Sequence, residues 1–154
     1  MKLNIVLIAP EIPQNTGTIG RLCVCLGAQL HLIEPLGFSL EKSHVRRAGL
    51  DYWEHVSLTV HSDWDAFLKA EPSPRLFFAS TKGLKPYWEH VFRPGDCLVF
   101  GNETSGLPPS FYERYREKLY LIPMPGEHAR SHNLANAVSI VAYEALRQVV
   151  LNAP

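Results

Sequence analysis

The stretch LYLIPMPGEHARSHNLANAVSIVAYEALRQ, residues 119–148, decides how the rest of the chain is read. It opens with a strand-length apolar run at 119–122 and passes through a Pro-containing loop of basic and polar residues. It then enters a helix whose apolar positions Leu134, Val138, Val141, Ala142 and Ala145 recur at helical spacing. Ser131, Asn133 and Asn136 make the helix entrance more polar than a turn requires. Short Ser and Asn side chains cap the free N–H groups of a first turn, or present the same groups to a ligand. A second polar loop, GNETSGLP at 101–108, directly follows the apolar run 97–100. Two strand ends that deliver two polar loops are the way open α/β sheets build ligand sites.

The same alternation continues outward from this stretch. Residues 3–9 form a near-continuous apolar run suited to a buried central strand. Pro10 and Pro13 break it, and a polar turn, EIPQNTG, leads into a helix with Ile19, Leu22, Cys23 and Leu26 on one face and Gly27 as its stop. Residues 29–33 read as the next strand, so strand, helix and strand predict a parallel pair. Ser39 opens a short helix over 41–48 that carries Arg46 and Arg47, and Asp51-Tyr52-Trp53 begins an aromatic connection to a strand at 56–60. Ser62 and Asp65 read as a capping-box start for a helix over 63–69. The strand 75–79 runs into Ser80-Thr81-Lys82-Gly83, a third polar loop; 84–94 reads as irregular or a weak helix, and 109–116 as a short helix. The pattern predicts an α/β fold, a mostly parallel sheet flanked by helices, in one domain over 1–154.

Composition narrows the function classes. A chain of 154 residues, 46% hydrophobic and 19% charged, can bury a core without disulfide or metal staples. Fifteen Lys and Arg balance fifteen Asp and Glu, so a nucleic-acid partner has to be met by a local basic patch. The odd count of three Cys argues against a disulfide framework and for a reduced, cytoplasmic setting. The longest apolar runs are strand-length, so no membrane span is expected. His128 and His132, four apart, have no carboxylate or Cys pattern beside them, and no metal site is expected.

Three motifs in order give the chain its resemblance: Asn15, Gly17 and Arg21 as N-x-G-x-x-x-R; GNETSGLP; and Ile122-Pro123-Met124 followed by SHNLANAVS. The sequence resembles the SPOUT superfamily of S-adenosylmethionine-dependent RNA methyltransferases. It is most similar to the small single-domain branch that methylates the ribose 2′-hydroxyl of the wobble nucleotide, cytidine or uridine, in leucine tRNAs. The likeness spans the chain, including NIVLIAPEIPQNTG, RRAGLDYW and AVSIVAYEALRQ. It implies a deep C-terminal trefoil knot, a homodimer with the active site completed by the partner subunit, and tRNA held at its anticodon region. Relatives often carry Pro and Arg in place of Asn102 and Ser105, and an apolar residue in place of His132, which bears on tRNA preference more than on chemistry.

Carried over by position, the resemblance puts S-adenosylmethionine against Ala79, Gly101, Gly106, Ile122, Met124 and Ser131. It assigns catalysis to Arg21, supported by Asn15, Glu103 and Asn133. Methyl transfer to a hydroxyl needs in-line positioning and a path for the hydroxyl proton. A guanidinium is effectively always protonated, which favours orienting a phosphate or stabilising an oxyanion over accepting a proton. Glu103, the only carboxylate in the three motifs, is the second candidate for proton handling. Substrate contacts fall to Arg46, Arg47 and Arg130, with Lys82 and Lys85 behind them, and Tyr143 serves the tRNA or the dimer.

Two rival readings make different predictions. Gly17 and Gly20 after the first strand, with Glu34 ending the second, imitate the dinucleotide fingerprint of a Rossmann-like NAD-binding oxidoreductase, although G-x-G-x-x-G is missing. A non-catalytic RNA-binding protein of the same fold would bind RNA without transferring a methyl group, and would be indifferent to loss of Arg21.

Overall fold

The computed structural model describes residues 2–40 and 50–153. The predicted helix with Arg46 and Arg47 lies outside the described residues. Among the described residues, seven strands form one sheet: β1 (Asn4–Ile8), β2 (Gln29–Ile33), β3 (Ser57–His61), β4 (Leu76–Ala79), β5 (Lys85–Pro86), β6 (Cys97–Phe100) and β7 (Leu119–Leu121). Their order is β3-β2-β1-β6-β4-β7-β5, and every pair is parallel.

Continuous apolar runs build this sheet because both faces are covered. Ile5 and Leu7 of β1, Phe77 of β4 and Leu98 and Phe100 of β6 face a cluster completed by α1 (Pro13–Leu26) and α4 (Leu134–Leu151). Val6, Ile8, Leu76, Phe78, Cys97 and Val99 face the other way, under Trp64 and Phe67 of α2 (Trp64–Ala70) and Phe111 of α3 (Phe111–Arg114). By length and composition α4 could cross a membrane, a property the strand-length reading of apolar runs overlooked. Its Val138, Val141, Ala142 and Ala145 are fully buried in the first cluster, which accounts for the apolarity.

Several boundaries differ from the sequence reading. Helix α1 begins at Pro13, in the first-turn position where a missing N–H costs nothing, so the polar turn is largely its opening turns. It ends as expected, at Gly27 in the left-handed region with φ 64°. Helix α2 is capped by Asp63, whose carboxylate accepts the Ala66 N–H at 2.8 Å, and not by Ser62. The irregular segment contains β5 and a 3-10 turn at Tyr87–Glu89. Below the sheet, Asp96 is fully buried and accepts from Arg75 Nε, His90 Nε2 and the Arg93 N–H. Burial raises its pKa, and these bonds outweigh that and hold it below the usual carboxylate range.

The route from β4 to β7 shapes the site. After β4 the chain forms edge strand β5, returns to the far side of β4 as β6, and finally inserts β7 between β4 and β5. The β4–β5 connection is pressed against β7. A Cβ on Gly83 would lie 2.3 Å from the Tyr120 carbonyl carbon and 2.6 Å from the Leu121 nitrogen. Ser80 N–H donates to the Tyr120 carbonyl at 2.9 Å.

At the opposite edge, His31 and His61 form a buried stacked pair, Nδ1 to Nε2 at 3.0 Å. Asn4 donates its amide N–H to the Gly95 carbonyl, which turns its Oδ1 toward His31 Nε2 at 3.0 Å. His31 therefore donates at Nε2 and accepts at Nδ1 from His61. Burial, then His61 and Lys2, push the His31 pKa down from 6.5 to about 4. The unfolded chain takes up this proton near pH 6.5 and the folded one resists it to about 4, so stability present above pH 6.5 drains away between those values. The shift corresponds to about 3 kcal/mol. Urea unfolding at pH 7 and pH 4.5 should show this loss in the native chain and a flatter profile in His31→Gln.

Candidate active site

Three strand ends converge on one cavity of about 540 Å³, within the range of small-molecule sites. The loop after β4 brings Ala79 to Lys82, the loop after β6 brings Gly101 to Leu107, and the segment after β7 brings Ile122, Met124, Ser131 and Asn133. Ile12 and Asn15, at the start of α1, close one side.

The β6 loop keeps its shape through its own bonds. Asn102 and Gly106 exchange backbone hydrogen bonds at 3.1 and 3.2 Å, and Asn102 Oδ1 accepts from the Ser105 N–H at 2.8 Å. Gly106 sits at φ 71°, and a Cβ on Gly101 would lie 2.1 Å from the Gly106 carbonyl carbon. A backbone that approaches itself this closely leaves a glycine cradle on the cavity wall.

A hydrogen-bonded chain ties the three motifs together. Glu103 Oε1 accepts the Glu11 N–H at 2.9 Å, and Oε2 accepts the Ile12 N–H at 2.7 Å and Asn15 Nδ2 at 3.3 Å. Asn15 Oδ1 in turn accepts from Asn133 Nδ2 at 3.0 Å, and Asn133 Oδ1 caps α4 through the Asn136 N–H at 3.2 Å. Helix α1 has no side-chain cap of its own at Ile12 and no acid in its first turn. Glu103 supplies the missing negative charge from another loop, at the positive end of the helix dipole. The same carboxylate argues against an NAD site, because a pyrophosphate at this helix start would meet its negative charge.

Of the residues named from the sequence, the cavity gathers Ala79, Gly101, Gly106, Ile122, Met124, Ser131, Asn15, Glu103 and Asn133. Arg130 and Tyr143 are exposed and line no part of it. Arg21 is also absent from its wall. It lies six residues beyond Asn15 on α1, ~9 Å along the axis and about 120° around it. Lys82, a lesser candidate for substrate contact, lines the cavity with Nζ 4.3 Å from the Tyr112 ring centroid. Tyr112 was missed, and no signal in the sequence brings its helix to this wall. Burial pushes the Cys23 thiol up to about 12 and, with Glu71 and Asp96 adding to it, does the same for Cys97. Neither is a thiolate nucleophile.

A family model for the SpoU rRNA Methylase family matches residues 2–143, and the chain belongs to that family. It is 53% identical over 149 residues, 94% of each chain, to the tRNA (cytidine(34)-2'-O)-methyltransferase of Burkholderia ambifaria. A solved structure described as giving insight into the 2-OH methylation of C/U34 on tRNA superposes with a TM-score of 0.91 at 49% identity, covering 96% of this chain and 95% of that one. The AdoMet-bound rRNA methyltransferase of Sinorhizobium meliloti superposes with a TM-score of 0.79 at 28% identity, covering 95% of this chain and 56% of that one.

Proposed function

We propose that this chain transfers a methyl group from S-adenosylmethionine to the ribose 2′-hydroxyl of the wobble nucleotide, cytidine or uridine, of leucine tRNAs. The observation that carries the reading is the convergence of three strand-end loops on one cavity, two of them tied to the start of α1 through Glu103, Asn15 and Asn133. Names carried by relatives at about half identity over nearly the whole chain point the same way.

The cavity suits the cofactor. Ile122, Met124 and Leu107 offer apolar surface to an adenine, and the cradle at Gly101 and Gly106 lets backbone groups reach it. Ser131 and Asn133 line the same cavity with polar side chains. When bound, S-adenosylmethionine supplies an electrophilic methyl group on a sulfonium. The chain's own work is to hold the two reactants in line and to stabilise the ribose oxygen as it takes the methyl group and its proton leaves to solvent water. Arg21 does the second, as an orienting cation. Glu103 is a clamp, since its carboxylate already accepts three donors and is engaged in holding α1.

Arg21 lies off the wall of its own cavity, which supports a homodimer in which each Arg21 serves the partner's site. The exposed Tyr143 on α4 belongs to the dimer or to the tRNA, and Arg130, Arg46 and Arg47 to the tRNA near its anticodon. Insertion of β7 between β4 and β5, beneath the β4–β5 loop, supports the deep trefoil knot in a single domain. Three free cysteines fit a reducing cytoplasm.

Complementation between two dead variants tests the shared site. Arg21→Ala and Asn133→Ala, each inactive alone, are co-expressed under different tags and the mixed dimer is purified. With Arg21 acting in trans, one of its two sites is intact and it recovers about half of native activity. A mixed dimer as inactive as its parents means that Arg21 serves its own subunit.

A further inference from the structure

The guanidinium of Arg21 lies over the ring of Tyr52, with Cζ 4.7 Å from the ring centroid. Both side chains are exposed, and Arg21 makes no ion pair with a described carboxylate. Tyr52 stands on a 3-10 segment, Leu50–His55, seated on α1 one residue from Arg21. The seat is Trp53: a Cβ on Gly20 would lie 2.8 Å from its ring, so only glycine admits the indole there. Val56 N–H closes the segment on the Trp53 carbonyl at 3.1 Å.

We propose that Tyr52 is a positioning residue for Arg21, holding the flat face of the guanidinium so that its N–H edge points freely at the anionic oxygen of the substrate. The proposal rests on the reading of Arg21 given above. A long exposed Arg samples many rotamers, and each one away from the reacting geometry dilutes the productive state. A carboxylate would restrain the side chain too, but it would occupy the donors and neutralise the charge. An aromatic face restrains the plane and leaves the N–H groups and the full positive charge available. This also gives Gly20 and Trp53 a purpose, since together they fix the height of the Tyr52 ring against the helix.

The test is steady-state methyl transfer to tRNA by the intact protein, with Arg21→Ala run in parallel. Tyr52→Leu is expected to lower kcat about threefold to fivefold, the scale of an exposed cation–π contact, with affinity for S-adenosylhomocysteine unchanged. Tyr52→Phe keeps the ring and stays within about twofold. Successively fluorinated phenylalanines at position 52 keep the shape while draining the ring face of negative charge, so kcat falls stepwise with fluorination. A merely structural ring would be indifferent to fluorine, and this series decides the matter even if Tyr52→Leu fails to fold. Equal kcat across the fluorinated series overturns the proposal while leaving Arg21 in its role. Full activity in Arg21→Ala overturns both.

Discussion

Gly101→Ala is expected to weaken binding of S-adenosylhomocysteine by about 100-fold and to lower the melting temperature by several degrees. The new methyl carbon would stand 2.1 Å from the Gly106 carbonyl carbon, 2.3 Å from the Leu107 nitrogen and 2.4 Å from the Gly106 oxygen. All three are backbone atoms, so no side chain can swing aside. The loop has to open by about 1 Å to restore van der Waals contact, at an overpacking cost of about 1–3 kcal/mol. Opening breaks the paired bonds between Asn102 and Gly106 and moves the cavity wall. Titration calorimetry and a thermal melt measure the two effects. Gly126→Ala is the control: a Cβ there meets nothing within 4 Å, and both readouts should stay native.

Glu103→Ala should cost about 100-fold in kcat/KM with the fold retained. It strips acceptors from the Glu11 and Ile12 N–H groups and from Asn15 Nδ2, and the chain through Asn15 to Asn133 loses its anchor. Two or three charge-assisted bonds account for about 3 kcal/mol of local order, which is about two decades. Glu103→Gln is no rescue, because one of the two accepting oxygens becomes an NH₂ aimed at other N–H groups. The affinity measurements separate clamp from base. A clamp loosens S-adenosylhomocysteine and tRNA as well as slowing the reaction, whereas a general base would lower kcat and leave both affinities intact.

These two residues also show how far the sequence could be read. Gly101 and Glu103 stand in a polar loop after an apolar strand, a place where open α/β sheets build ligand sites, and the six cofactor contacts that the resemblance implies all line one cavity. Polar residues at strand ends are legible because nothing in packing calls for them. Partners across long separations are not. That Glu103 caps α1, 91 residues away in sequence, follows from the insertion of β6 beside β1, which no local pattern reveals. Pro13 hid the start of α1 by resembling a breaker. Strand β5 consists of two residues joined to β7 through backbone alone, so no side-chain alternation announces it. The position of Arg21 relative to the cavity was likewise out of reach: its motif fixes its place on the helix, while the direction in which that face points depends on tertiary docking.

The most direct test of the account is to incubate the purified protein with isotope-labelled S-adenosylmethionine and unmodified tRNA, digest the RNA and identify the labelled nucleosides by mass spectrometry, with Arg21→Ala alongside. The expected product is labelled 2′-O-methylcytidine or 2′-O-methyluridine, mapped to the wobble position of leucine tRNAs and absent with the variant. Label on a base, label at another position, or RNA binding with no methyl transfer to any tRNA pool would contradict this assignment.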